Sequence, residues 1–166
     1  MENTFEKQVS TGSFTIFMLA AVVAPGLAAL ITYFVGAYGG IGITPRPGYM
    51  MPDAAFYSPD IITRVIFGIS LVFTARQIAE SDGARTMKTV AVTLWLVSYA
   101  LSLIWLPVFF TMDSYMAAFV LLAVIAALTT AQFLINIRIS LPAALMVLPY
   151  WGFVIYCAYV NLMIAL

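Results

Sequence analysis

The sequence predicts an all-α membrane protein, a five-transmembrane-helix bundle made by a single domain over residues 1–166. The first observation behind this is composition: 64% of the residues are apolar, 8% are charged and the mean hydropathy is +1.05. A soluble domain carries about 25% charged residues, so most of this surface must face lipid. The second is length, because five apolar segments are each long enough for the roughly 20 residues that cross a bilayer.

The same composition excludes several classes of protein. Seven basic and seven acidic side chains give no net charge, so the footprint of a nucleic-acid-binding protein is absent. The chain has no histidine and one cysteine, which removes the commonest metal ligand and any intrachain disulfide. No spacing of nucleophile, base and carboxylate suggests catalysis. We therefore expect no enzyme, no metal site and no required cofactor.

The first helix is predicted over residues 14–38, behind a short polar start, with a bend at Pro25-Gly26. Glycine and proline then crowd residues 39–57, which predicts a loop. The loop is also rich in aromatic and apolar side chains. It is either a connector lying in the membrane interface or a lid over a pocket.

The second helix is predicted over residues 59–79. Ser58 is placed to cap it, Pro59 suits the first helical position, and Asp60 lies at the positive end of the helix dipole. Arg64 follows Asp60 by one turn, so the two can pair locally. The alternative is that Arg64 contacts an anionic group of a ligand beneath the loop.

The remaining helices are predicted over residues 87–110, 114–137 and 141–166, separated by short polar turns. Asp113 or Ser114 can cap the fourth helix. The side of the membrane that holds the N-terminus has more basic residues than the opposite side. The N-terminal side has Lys7, Arg76, Arg85, Lys88 and Arg138, and the opposite side has Arg46 and Arg64. This bias predicts a multi-pass protein, in a bacterial inner membrane, with a cytoplasmic N-terminus and a periplasmic C-terminus.

Small residues recur at a spacing that lets helices approach closely. Such stripes either pack inside the bundle or build a homodimer or a partner contact. They are Ala123, Ala127 and Ala131 on the fourth helix, Ser98 and Ser102 on the third, and Gly36 and Gly40 on the first.

Two stretches resemble the translocator protein family, also called the tryptophan-rich sensory protein or peripheral benzodiazepine receptor family. Residues 98–110 read SYALSLIWLPVFF, which is similar to the family stretch Q-x-x-x-N-x-x-W-x-P-x-F-F. Residues 149–161 read PYWGFVIYCAYVN, which is similar to P-Y-x-x-W-x-x-F-A-x-x-L-N. The length, the five spans and the long first loop also match.

The resemblance implies a compact bundle, often dimeric, whose cavity binds tetrapyrroles, sterols and other hydrophobic molecules. It implies no catalytic role. Carried over by position, and with the loop aromatics added, it gives these candidate ligand-binding residues: Tyr49, Phe56, Tyr57, Trp105, Tyr150, Phe153, Tyr156, Cys157 and Asn161.

The chain also departs from the family pattern. Ser98 and Ser102 replace the glutamine and asparagine, Phe153 replaces a pocket tryptophan, and the first loop has no tryptophan.

Two functions follow as expectations. The first is a non-enzymatic protein that binds a tetrapyrrole or another hydrophobic ligand. The second is a structural accessory subunit of a larger membrane complex, such as a photosynthetic pigment–protein complex.

Overall fold

The structure is a computed structural model that describes residues 19, 21–28, 30–31, 48, 53–78, 81–110 and 112–166. These residues form helices and turns without a strand, as the predicted all-α class requires. We label the helices α1 to α5 in chain order. They are α1 (residues 21–28), α2 (Asp53–Arg76), α3 (Asp82–Phe110), α4 (Tyr115–Ile139) and α5 (Leu141–Ala165).

Four helices, α2 to α5, are long and apolar enough to cross a membrane. Within the predicted first span, residues 21–28 are helical, and most of the remainder lies outside the described residues. The chain is therefore a multi-pass membrane protein by the length and composition of its helices.

The start of α2 differs from the prediction. The helix begins at Asp53, so residues 53–57 belong to it and Ser58 is not its cap. Pro59 lies inside the helix instead of at its first position. Its fixed φ is helical, and the one backbone hydrogen bond that it removes is tolerated in membrane helices. The capping signal at Ser58 is therefore misleading.

The start of α3 also differs, because the helix begins at Asp82 and not at residue 87. Ser81 caps it by accepting a hydrogen bond from the Ala84 amide at 3.2 Å. Asp82 then lies at the positive end of the helix dipole. The polar residues that the sequence predicts as an interhelical turn instead form the first helical turn of α3.

The α4–α5 junction is shorter than predicted. Helix α4 extends to Ile139, and Ser140 is the single non-helical residue before α5. The Ser140 amide donates to the Asn136 carbonyl at 2.7 Å, and its hydroxyl accepts from the Ala143 amide at 3.5 Å. At the other end of α4, Ser114 occupies the capping position but its side chain makes no capping hydrogen bond.

Helix α5 packs against α4 and α2, and α4 packs against α3. A column of four stacked rings joins α5, α2 and α3 in the core. Phe67 lies 4.3 Å from Tyr150 and 5.3 Å from Trp95, and Trp95 lies 5.2 Å from Tyr99, between ring centroids. The Trp95 indole also donates to the Phe67 carbonyl at 2.8 Å. This column fixes the α2–α3–α5 arrangement on which the cavity described below rests.

Candidate functional site

A small cavity lies inside the bundle, about two to three turns from the start of α2. Side chains from α2, α3, α4 and α5 contribute to it. Its lining residues are Asp60, Arg64, Ser102, Trp105, Leu122, Tyr150, Phe153, Val154 and Cys157. The wall is therefore mostly apolar and aromatic, and its few polar groups converge from α2, α3 and α5. This is the usual character of a small-molecule site.

A buried ion pair forms the polar side of this cavity. Arg64 Nε donates to Asp60 Oδ1 at 2.8 Å, and the two side chains are 3% and 2% exposed. Arg64 Nη1 donates to Ser102 Oγ at 2.8 Å, which joins α2 to α3. Ser102 in turn donates to the Tyr99 carbonyl at 2.7 Å. The predicted local pairing of Asp60 with Arg64 is thus confirmed, and the pair brings no net charge to the cavity.

The second carboxylate oxygen of Asp60 is different. Oδ2 is buried and has no hydrogen-bond partner among the described residues. A buried acceptor left without a donor costs about 1–3 kcal/mol, so such atoms are rare in folded proteins. The volume of the cavity that is open to the centre of a water molecule is about 10 Å³, which is room for about one water.

Four candidate residues from the sequence converge on this cavity. Trp105 comes from α3, and Tyr150, Phe153 and Cys157 come from α5. Tyr150, Phe153 and Cys157 are spaced i, i+3 and i+7 along α5, which places them on one face of that helix. The structure buries all four side chains.

Two further candidates on α5 lie beside the cavity but do not line it. Tyr156 is half-buried, with its ring 6.3 Å from that of Phe153. Asn161 is buried, and its amide donates to the Cys157 carbonyl at 2.6 Å. Asn161 therefore supports the backbone at Cys157, and its Oδ1 has no partner among the described residues.

The loop candidates lie outside what the structure describes. Tyr49 is not among the described residues, and neither is most of the loop, so the choice between connector and lid stays a prediction. The backbone of Phe56 and Tyr57 belongs to the first turns of α2, and their side chains are outside the described set.

Sequence reasoning misses the hydrogen bond from Arg64 on α2 to Ser102 on α3. The sequence places Asp60 at a helix start and Ser102 in a stripe of small packing residues, and neither position indicates this contact. A signal is nevertheless present in the sequence, because two opposite charges one turn apart inside an apolar span are a functional-site indication in membrane proteins. Leu122 and Val154 carry no comparable signal, since apolar residues surround them in apolar helices.

A second feature faces away from the cavity. Ala123 and Ala127 are exposed on α4, so this small-residue stripe points out of the bundle in the described part of the chain. An open apolar groove of about 210 Å³ lies between α4 and α5 on the outer surface. Trp151 borders this groove and donates its indole hydrogen to Thr130 Oγ1 at 2.9 Å.

These features define an all-helical, multi-pass membrane protein with a small, partly polar cavity inside its bundle. The family model described as the TspO/MBR family matches residues 14–166, which is nearly the whole chain. The chain therefore belongs to the TspO/MBR family, and the resemblance drawn from α3 and α5 is confirmed. Neither the curated proteins nor the solved structures give a match.

Proposed function

We propose that this chain is a non-enzymatic membrane protein that binds a hydrophobic ligand, a tetrapyrrole or a sterol-like molecule, in the cavity between α2, α3, α4 and α5. One observation carries the proposal. The four α3 and α5 residues that the family resemblance marks as ligand-lining meet at one internal cavity, together with a buried ion pair. No cofactor is required for this role.

A ligand of that size needs the cavity to widen, because the present space fits about one water. Trp105 stacks on Phe109 at 5.5 Å between ring centroids, and Phe153 lies against Tyr156. Displacement of the Trp105 and Phe153 rings would open the space between α3 and α5. Each Å² of apolar surface then buried contributes about 25 cal/mol to affinity.

We also propose the orientation given by the basic residues, with a cytoplasmic N-terminus, a periplasmic C-terminus and a bacterial inner membrane as the location. Helix α2 then starts on the periplasmic side. Because Asp60 and Arg64 lie two to three turns into α2, the cavity would occupy the periplasmic half of the bundle.

Cys157→Trp is expected to abolish ligand binding. Cys157 is 3% exposed and lines the cavity, so an indole at this position fills the space that a ligand would use. The measurement is an absorbance titration of the purified protein in lipid nanodiscs with protoporphyrin, and with a fluorescent sterol in parallel. We expect the dissociation constant to rise by at least about tenfold.

Ile155→Trp is the matched control, because Ile155 lies on the same helix but is 43% exposed toward the outside. It adds the same side chain without entering the cavity, and binding is expected to stay within about twofold of the unchanged protein. Equal affinity in the Cys157→Trp variant would contradict the proposed site.

The outward stripe on α4 favours a second candidate function, that of a structural accessory subunit of a larger membrane complex, such as a photosynthetic pigment–protein complex, or of a homodimer. Exposed alanines let another helix approach closely in lipid. Under this function, Ala123→Leu together with Ala127→Leu would release the chain from its assembly, and native electrophoresis of mildly solubilised membranes would show a smaller species. Retention of the large species in this variant would contradict the accessory role.

A further inference from the structure

The polar side of the cavity has a specific hydrogen-bonding character. Asp60 Oδ1 accepts from Arg64, whereas Asp60 Oδ2 is buried with no donor among the described residues. Asp60 also lines the cavity and is 2% exposed. The cavity therefore presents a carboxylate oxygen to which none of the described residues donates.

One donor that lines the cavity, the Ser102 hydroxyl, is engaged elsewhere. The Ser102 hydroxyl donates to the Tyr99 carbonyl while accepting from Arg64. The Cys157 thiol is a weak donor. Among the described residues no donor reaches Asp60 Oδ2, so a molecule inside the cavity could supply one.

Charge decides which kind of molecule fits. Asp60 and Arg64 are the two charged residues that line the cavity in the described part of the chain, and they neutralise each other at 2.8 Å. A ligand carboxylate would face the negative oxygen of Asp60 in a desolvated site. A ligand ammonium would add an uncompensated buried charge. A neutral donor meets neither penalty, and its hydrogen bond to a charged acceptor is of the stronger kind.

We propose that the cavity selects apolar ligands that carry a neutral hydrogen-bond donor, a hydroxyl or an N–H group, and that this donor binds Asp60 Oδ2. The inference rests on the proposed function, since it concerns the ligand of the same cavity. The space is large enough for one water, which would supply the donor in the absence of a ligand. An apolar ligand that displaces this water without replacing its hydrogen bond loses affinity.

The test compares pairs of probes that differ in the donor alone. Para-butylphenol is paired with para-butylanisole, and indole with N-methylindole. The first pair tests a sterol-like hydroxyl and the second a pyrrole-like N–H. The readout is the probe concentration that halves the labelling rate of Cys157, the one cysteine of the chain, by a small thiol reagent in nanodiscs. We expect the donor member of at least one pair to act at an about tenfold lower concentration.

A double variant separates the hydrogen bond from the extra methyl group of the weaker probes. In Asp60→Leu with Arg64→Met, the acceptor and its partner are both removed, and we expect the ratio within each pair to fall to about one. Persistence of the tenfold ratio in this variant would overturn the assignment to Asp60. Should the variant fail to fold, equal action of the two members of each pair in the unchanged protein would still overturn the inference.

Two results would overturn the inference in different ways. Equal protection of Cys157 by both members of each pair would overturn donor selection while leaving the ligand site in place. No protection by any of these probes, nor by protoporphyrin, would overturn the proposed function together with the inference.

Discussion

Asp60→Ala is expected to lower the free energy of unfolding by about 3–5 kcal/mol. The reason is that Arg64 would stay buried without its counter-charge, with Ser102 as its remaining side-chain hydrogen-bond partner among the described residues. A buried charge left without its partner costs far more than the pair contributes. The measurement is reversible unfolding in mixed micelles, followed by helical circular dichroism.

The double variant Asp60→Leu with Arg64→Met is expected to lose much less stability than Asp60→Ala. Apolar side chains of similar volume often replace a buried ion pair at little cost or with a gain. Asp82→Ala is the control for loss of an acidic residue, because Asp82 is exposed at the start of α3 and contributes about 0.3–1 kcal/mol. A loss for Asp60→Ala no greater than for Asp82→Ala would contradict the buried pair.

Gly68→Ala is expected to destabilise the bundle by about 3 kcal/mol, the upper end of the range for overpacked sites. A Cβ at Gly68 would overlap the carbonyl oxygen of Ala21 and lie 3.1 Å from its carbonyl carbon. It would also come within 3.3 Å of Pro25 Cγ. Because the obstacle is backbone, α1 would have to move away from α2. The hydrogen bond from the Tyr99 hydroxyl to the Ala24 carbonyl, 3.0 Å long, would be strained by the same movement.

Gly152→Ala is the matched control for this change. Gly152 is also helical and exposed, and a Cβ there meets no atom within 4 Å. Alanine is the better helix former, so this variant is expected to be neutral or more stable by up to about 1 kcal/mol. Thermal unfolding in detergent compares the two. Similar stability of both variants would contradict the close approach of α1 and α2.

The fold class can be predicted from the sequence because each apolar segment indicates a membrane span independently of the others. Apolar length identifies the spans of α2 to α5, and no detail of packing is needed. Helix starts are less predictable, since Ser58 and Ser81 carry the same capping chemistry. Ser81 caps α3, whereas α2 extends back through Ser58 to Asp53. What separates the two is tertiary context, which a local signal does not contain.

The cavity is predictable in part. Tyr150, Phe153 and Cys157 share one face of α5, so the resemblance and helical periodicity are enough to group them. The contact between Arg64 and Ser102 joins residues on different helices, and no periodicity relates them. Whether Asp60 Oδ2 receives a hydrogen bond depends on where each neighbouring donor is directed, and none of the described residues donates to it. That information appears when the helices are packed together.

The central claim is that a hydrophobic ligand occupies the cavity beside Cys157. The most direct measurement is the labelling rate of Cys157 by a small thiol reagent in nanodiscs, with and without saturating protoporphyrin. Cys157 is the one cysteine of the chain, so the native protein reports on the cavity without substitution. The account predicts that the ligand slows labelling by at least about tenfold. An unchanged labelling rate at a concentration where protoporphyrin is bound would contradict it, because the ligand would then lie elsewhere on the protein.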